Sequence, residues 1–216
     1  MKKLKYIFLL AGALSLASCE SWLDEDPQYT INTKTQFSTV ENARQALMGC
    51  YGYMSADNAY GQAWQEVTFG YCGFGWSQTN GSSTDLLVSM DGGIDETINT
   101  MAWRGMYKVI GETNAFIANI ADSPLESADK LPMEAAARFL RALAYYNLAV
   151  TYGDVPLKTT PSAHDGVAVP RSPKNEVFEL VRTDWEFAYE NLPEKDDDGF
   201  ATKWAAKAYL GKLYHT

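Results

Sequence analysis

The stretch from Pro132 to Val150 constrains the fold more than any other part of the sequence. Its apolar residues recur at helical spacing and occupy much of the circumference of the helix that they predict. Such a helix has to be covered on more than one side, so the chain is predicted to fold as a body of packed helices. Pro132 is predicted to open this helix near its first turn, and Gly153 to end it as a C-cap. The next residues, Asp154–Leu157, are predicted to be extended.

Two arginines, Arg138 and Arg141, interrupt the apolar surface of this helix. Glu134 lies four residues before Arg138, the spacing at which side chains of opposite charge meet on a helix. Both arginines are therefore predicted to pair with helix acids such as Glu134, or to extend their charged ends into solvent.

Four further segments have helical spacing together with a start or stop signal. Large and small residues alternate in the last of them, as in tetratricopeptide-like stacking, although no exact period of about 34 residues can be counted. Three tryptophans on these helical stripes, Trp103, Trp185 and Trp204, are assigned to the core. The predicted fold class is mainly α, with tetratricopeptide-like helical repeats and long irregular loops. The segments are Asn42–Met54 behind a Ser38–Glu41 capping box, Thr97 to about Ala121, a helix between Ser172-Pro173 and Pro193, and a helix capped by Thr202.

Between the first two of these segments, glycines and aromatic residues break the helical pattern from Ser55 to Gly93. This stretch is predicted to be mostly loop. A loop of such length inside a compact domain is usually functional or disordered. It is therefore the first place to search for a ligand site.

The N-terminus has the form of a lipoprotein signal. Lysines at positions 2, 3 and 5 precede an apolar run, Tyr6–Leu16, and two small residues then lead to Cys19. Eleven helical residues cover about 16 Å, about half of a hydrocarbon core, so the run is too short for a stable transmembrane helix. Residues 1–18 are predicted to be a lipoprotein signal peptide, and Cys19 the lipidated residue that anchors the chain to a membrane. An ordinary signal peptide with a cysteine there by chance is the alternative.

The charge balance excludes some classes of partner. Three of the 18 basic residues lie in the signal peptide, which leaves 15 against 27 acidic residues and a net charge near −12. A chain this acidic repels nucleic acid. Cys50 and Cys72 could pair in an oxidising compartment or stay free. No histidine or second cysteine lies near either of them in sequence, so no metal, cofactor or nucleophilic site is predicted.

Several stretches together resemble the SusD/RagB family of outer-membrane nutrient-uptake lipoproteins. They occur in the family's order over nearly the whole chain. Members of the family are much longer, so residues 37–216 resemble only their N-terminal helical domain, truncated at the C-terminus and preceded by a lipidated acidic leader at residues 19–36. The stretches are Trp22-Leu23-Asp24 and Pro27 after Cys19, Ala137-Arg138-Phe139-Leu140-Arg141-Ala142, Tyr152-Gly153-Asp154-Val155-Pro156-Leu157, Pro170-Arg171-Ser172-Pro173 before Glu176-Val177, and Thr202-Lys203-Trp204-Ala205-Ala206-Lys207-Ala208.

The resemblance implies a non-enzymatic receptor. It would be anchored in the outer membrane facing the cell exterior, lie over a TonB-dependent, SusC-like barrel, and capture oligosaccharides or, in some relatives, peptides. The acids of the leader resemble an export tag, and a solvated linker is an equal alternative. A glycoside hydrolase is a further alternative, but no pair of acids with the required placement is recognisable. Another alternative function is that of a helical scaffold that binds no small ligand. The acids of the leader are Glu20, Asp24, Glu25 and Asp26.

Binding of a neutral sugar needs flat apolar rings beside amide or carboxylate groups. The glycine-rich segment contains both, and the resemblance places ligand contacts in this part of the chain. The predicted ligand-binding residues are Trp76 and Asn80, with Tyr71, Phe74 and Asp85.

Overall fold

The computed structural model describes residues 33–70, 72, 75, 88–90, 97–161, 169–196 and 198–216. The predicted lipidation site Cys19 and most of the leader lie outside these residues. The helices are α1 (Thr33–Gln36), α2 (Val40–Ser55), α3 (Ala63–Gly70), α4 (Thr97–Ala121), α5 (Ser127–Tyr152), α6 (Lys174–Asn191) and α7 (Lys203–Leu213), and two short strands, β1 (Val155–Pro156) and β2 (Arg171–Ser172), pair antiparallel. The predicted, mainly helical fold is confirmed.

Helix α5 lies at the centre of the body. Almost all of its side chains from Met133 to Ala149 are buried, as its apolar circumference predicts. It packs against α4 and α6 and also contacts α2, while α6 packs in turn against α7. Successive long helices therefore stack on their neighbours in chain order, as expected of a tetratricopeptide-like array.

The predicted end of α5 is confirmed, and its predicted start is wrong. Gly153 has a φ of 75°, a conformation that favours glycine, and its N–H donates to the carbonyl of Ala149 over 3.1 Å. The helix begins at Ser127, since the N–H groups of residues 129 and 130 both donate to the carbonyl of Glu126 over 3.0 Å. Pro132 therefore lies inside the helix as its sixth residue, where it has no N–H to donate to the carbonyl of Ala128.

The caps of α2 and α6 differ from those predicted. In α2 the Thr39 hydroxyl accepts the N–H of Asn42 at 3.2 Å, while the Ser38 hydroxyl donates to α1. In α6 the Lys174 N–H donates to Asp154 Oδ1 over 2.8 Å. Asp154 lies 20 residues earlier in the chain and is brought there by the pairing of β1 with β2. A cap supplied across a strand pair has no local signal in the sequence.

Part of the segment predicted to be loop is helical. Residues Asp57–Gly61 form a π-helical turn, and α3 follows directly. The turn packs so closely on α4 that a Cβ atom on Gly105 would lie 1.8 Å from the carbonyl oxygen of Asn58. Only glycine fits at this crossing, because its missing side chain lets the two backbones touch.

Of the three tryptophans predicted to be in the core, one is not. Trp185 is fully buried and Trp103 packs half-buried against the core, but Trp204 is 51% exposed. Helix α7 packs on α6 along one side, and only its Ala206 is buried.

A polar network crosses the core between α4, α5 and α6. Arg141 on α5 is 5% exposed and donates from Nε and Nη2 to the two carboxylate oxygens of the fully buried Asp184, each over 2.8 Å. Its Nη1 donates to Asn114 Oδ1 on α4, also over 2.8 Å. Arg138 pairs with Glu134, as the spacing predicts. Arg141 does not extend into solvent. Its carboxylate partner, Asp184, lies on α6 and not on the same helix.

None of the helices in the described part of the chain combines the length and hydropathy needed to cross a bilayer.

Replacement of Asp184 by Asn should destabilise the chain strongly. It leaves the Arg141 charge buried without a counter-ion, which typically costs about 3–5 kcal/mol. Urea unfolding monitored by circular dichroism measures the loss. Glu179→Gln on the same helix removes the same charge from an exposed pair with Arg182 and should leave the unfolding midpoint unchanged. Equal midpoints for the two variants would contradict the role given to the network.

Gly105→Ala should lower the free energy of unfolding by about 2 kcal/mol or more, because α4 and the π-helical turn would have to separate. Gly52→Ala on α2 is the matched control. No atom lies within 4 Å of the position of a Cβ there, so this change should stabilise the chain by about 0.5–1 kcal/mol through helix propensity. Thermal unfolding of both variants tests whether Gly105→Ala lowers the melting temperature while Gly52→Ala raises it.

Candidate functional site

Helix α3 presents an aromatic ring on its outer side. Ala63, Trp64 and Val67 are buried at helical spacing, and they hold α3 against the body. Phe69 therefore lies on the opposite side of the helix, where it is 62% exposed. An exposed phenylalanine held on a short, anchored helix offers a flat apolar surface to a ligand.

A cavity of about 510 Å³ opens at the C-terminal end of α3. Among the lining residues that the structure describes, only Glu66 has a charged side chain, and the other polar side chains supply an amide, a hydroxyl and a thiol. A ring beside a few hydrogen-bonding groups is suited to a polar, mostly uncharged ligand. The lining residues are Gln65, Glu66, Thr68, Phe69, Gly70, Cys72 and Val88.

Hydrogen bonds hold the polar side chains of the cavity in place. Gln65 Nε2 donates to the carbonyl of Tyr60 over 2.6 Å, and Gln62 Nε2 donates to Glu66 Oε1 over 2.7 Å. The hydroxyl of Tyr60 in turn accepts Asn147 Nδ2 of α5 at 2.7 Å. Tyr60, held by α5, thus positions the Gln65 amide, and Gln62 positions the Glu66 carboxylate. Side chains held in place lose less entropy when a ligand binds.

All five predicted ligand-binding residues lie outside the described residues. They are Tyr71, Phe74, Trp76, Asn80 and Asp85. Three described residues of the same segment lie at or beside the cavity. Cys72 and Val88 line it, and a Cβ on Gly75 would be 3.2 Å from Val88 Cγ2 and 3.4 Å from Phe69 Cδ1. Gly75 directly precedes Trp76 in the chain.

The cavity residues on α3 are absent from the sequence-based prediction. Gln65, Glu66 and Phe69 fall in the stretch interpreted as loop, so no outward face could be assigned to them. The short apolar spacing of Ala63, Trp64 and Val67 was the available signal for a helix. Among the residues that the structure describes, no group of three histidine, cysteine, aspartate or glutamate side chains is placed to hold a metal ion.

Both described cysteines are free, and their environments differ. Cys50 is buried in α2, where desolvation and the nearby Glu112 carboxylate raise the pKa of its thiol to about 12. Cys72 is exposed on the rim of the cavity, where its Sγ donates to the carbonyl of Phe69 over 2.8 Å. Only one of the two thiols is accessible to reagents.

A maleimide should therefore label Cys72 and spare Cys50 in the folded chain at pH 7 to 9. The reactive form is the thiolate, and a raised pKa keeps Cys50 protonated throughout this range. Peptide mass spectrometry after labelling of the Cys19→Ser variant identifies the modified residue. Labelling of Cys50 before unfolding would contradict the packing of α2, and full labelling of both thiols in urea is the positive control.

Comparison with known proteins identifies the family. Residues 21–215 match a SusD-like family model described as starch-binding and associating with the outer membrane. SusD-like protein P25 of Formosa agariphila is 26% identical over 223 residues, an alignment that covers 97% of this chain and 42% of that protein. The chain belongs to the SusD-like family, as its sequence predicts, and spans about two fifths of the length of the curated relatives it matches.

Solved structures share the fold. A SusD superfamily protein from Bacteroides thetaiotaomicron superposes with a TM-score of 0.72 at 25% identity, over 82% of this chain and 42% of that one. A laminarin-binding SusD-like protein gives 0.69 at 26% identity, over 82% and 40%. A crystal structure with xylogluco-oligosaccharide gives 0.67 at 26% identity, over 78% and 34%. The family is one of carbohydrate-binding proteins and not of enzymes.

Proposed function

We propose that this chain captures neutral oligosaccharides at the cavity beside Phe69 and delivers them to a transporter. The exposed Phe69 ring next to hydrogen-bonded amide and carboxylate groups is the observation that carries the proposal. The aromatic face would stack on the C–H groups of a pyranose ring, and the polar groups would pair with its hydroxyls. Relatives with the same fold bind laminarin or were crystallised with xylogluco-oligosaccharide.

The charge of the chain supports a neutral ligand at this cavity. The full sequence has a net charge of −9, and Glu66 is the single charged residue among the described residues that line the cavity. Because no described lining residue is a cation, an acidic sugar would meet the Glu66 carboxylate without a compensating charge from this part of the lining, which disfavours its binding. Neutral glucans meet no such penalty.

The glycine-rich segment after α3 would complete the site. Trp76 and Asn80 would supply a second ring and a second amide, with Tyr71, Phe74 and Asp85 around them. The support for this placement is the position of Gly75, one residue before Trp76: a Cβ atom on Gly75 would lie 3.2 Å from Val88 Cγ2 and 3.4 Å from Phe69 Cδ1.

The same proposal covers the anchor and the partner. Acylation of Cys19 would tether the chain to the outer membrane facing the exterior, and a TonB-dependent, SusC-like barrel would receive the ligand. The lipoprotein signal at residues 1–19 and a family model described as associating with the outer membrane support this. No catalytic step and no cofactor are part of the proposed function.

Phe69→Ala and Trp76→Ala should each weaken binding of laminarin oligosaccharides about tenfold, equivalent to about 1.4 kcal/mol of lost stacking. Isothermal titration calorimetry on the chain measures the affinity. Phe69 is exposed, so the melting temperature of its variant should not change. Tyr214→Ala removes an exposed aromatic side chain outside the cavity and serves as the matched control, with unchanged affinity expected.

Three outcomes would redirect the proposal. Binding of peptides but not of oligosaccharides, weakened by the same two substitutions, would indicate a peptide receptor. Unchanged oligosaccharide affinity in both variants would place the site elsewhere. No binding of either ligand by the full-length protein would favour a helical scaffold without a small ligand.

A further inference from the structure

The chain around the cavity beside Phe69 is acidic and has no basic residue. From Gln45 to Trp103 the sequence contains six acidic side chains and no lysine, arginine or histidine. This stretch includes α3, the π-helical turn and every lining residue of the cavity that the structure describes. Because such a stretch creates a local negative potential, it attracts a cationic group of a ligand more than a neutral one.

The hydrogen-bond donors of the cavity are largely used within the protein. The Thr68 hydroxyl donates to a carbonyl of α3 over 2.9 Å, and the Cys72 thiol donates to the carbonyl of Phe69 over 2.8 Å. Gln65 gives one of its two amide N–H groups to the carbonyl of Tyr60 over 2.6 Å. The described lining side chains therefore meet a ligand mainly as hydrogen-bond acceptors.

The same side chains have the capacity to accept. A carboxylate has about four acceptor positions, and the bond from Gln62 occupies one of those of Glu66. The amide oxygen of Gln65 and the hydroxyl oxygen of Thr68 are acceptors as well. A ligand suits this lining when it brings donors, and an ammonium group brings three.

Glu66 and Phe69 are placed to act on one cationic group together. They lie three residues apart on α3, a spacing at which helical side chains are neighbours, and both line the cavity. A carboxylate pairs with an ammonium group, and the face of an aromatic ring attracts the same charge through its quadrupole. A cation on a sugar ring that packs against Phe69 would thus lie within reach of Glu66.

We propose that the cavity prefers an amino-sugar unit with a free amine, as in a glucosamine oligosaccharide, over a neutral glucose unit. The ammonium group would pair with Glu66, and the sugar ring would pack on Phe69 as in the proposed function, on which this inference rests. Acetylation of the amine removes the charge and leaves one N–H, so an N-acetylglucosamine unit would lose the preference. Neutral glucans would remain ligands, because their hydroxyls donate to the same acceptors.

The test uses calorimetry on the full chain at about pH 6 with three oligosaccharides that share length and linkage. They differ only in the group at C2 of each unit, which is a hydroxyl in the glucose probe, an ammonium in the glucosamine probe and an acetamide in the N-acetylglucosamine probe. A lysine oligopeptide of matched charge is the fourth probe.

The variants are Glu66→Gln, Phe69→Ala and, as matched control, Glu41→Gln. Glu41 also accepts a hydrogen bond from a glutamine four residues away, Gln45 Nε2 at 3.3 Å, but it lies on α2 and does not line the cavity. Circular dichroism of each variant checks that the helices remain folded.

The glucosamine probe should bind about fivefold more tightly than the glucose probe, the size expected for one exposed ion pair, and the difference should shrink as salt is added. The N-acetylglucosamine probe should have no such advantage. Glu66→Gln should bring the glucosamine and glucose probes within about twofold of each other, and Glu41→Gln should preserve the difference between them. Phe69→Ala should weaken the binding of both probes.

Three results would overturn the proposal. They are equal affinities for the glucosamine and glucose probes, a glucosamine advantage that survives Glu66→Gln in the folded chain, and equally tight binding of the lysine oligopeptide, which would indicate general attraction of cations to an acidic chain. Its failure is distinguishable from failure of the proposed function. Binding of the glucose probe that Phe69→Ala weakens, without a glucosamine advantage, removes the preference alone, whereas no binding of any oligosaccharide removes both.

Discussion

The bidentate ion pair between Arg141 and Asp184 is the interaction on which the helical body depends. Both side chains are buried, so each charge relies on the other and on Asn114 to replace the hydration it lost. Asn114 extends the network by donating to the carbonyls of Lys158 and Thr160. One set of polar contacts thus sets the relative positions of α4, α5, α6 and the segment after β1. Apolar packing tolerates small shifts between helices, but a buried bidentate pair does not.

The candidate ligand site is built outward from this core. Helix α4, which the network holds against α5, carries Gly105, and the missing side chain there seats the π-helical turn. The turn leads directly into α3, and Asn147 of α5 holds its Tyr60 by a hydrogen bond. Phe69 is therefore exposed on a helix whose inner side is fixed at several points. Exposed aromatic residues bind ligands well when little conformational freedom is lost, and this arrangement provides that condition.

Prediction from sequence succeeded where the signal was local and failed where a partner was distant. The bounds of α4 and the glycine cap of α5 follow from spacing and from one residue type, and the structure confirms both. The cap of α6 comes from Asp154 across a strand pair, and the counter-ion of Arg141 comes from another helix. At the candidate ligand site, the sequence pointed to the glycine-rich segment, which stays a prediction, and did not point to Phe69, because α3 is too short for its periodicity to stand out among glycines.

The sequence by itself determined the helical class, the family and the order of the long helices, since these depend on spacing, caps and motifs that are local along the chain. Only the tertiary structure decided which side chains face outward at α3 and α7 and which charges meet inside the core. Exposure depends on what the rest of the chain covers, and the pairing of Arg141 with Asp184 joins residues 43 positions apart. Neither property has a signature in the neighbouring residues, because burial and long-range pairing are set by packing between elements.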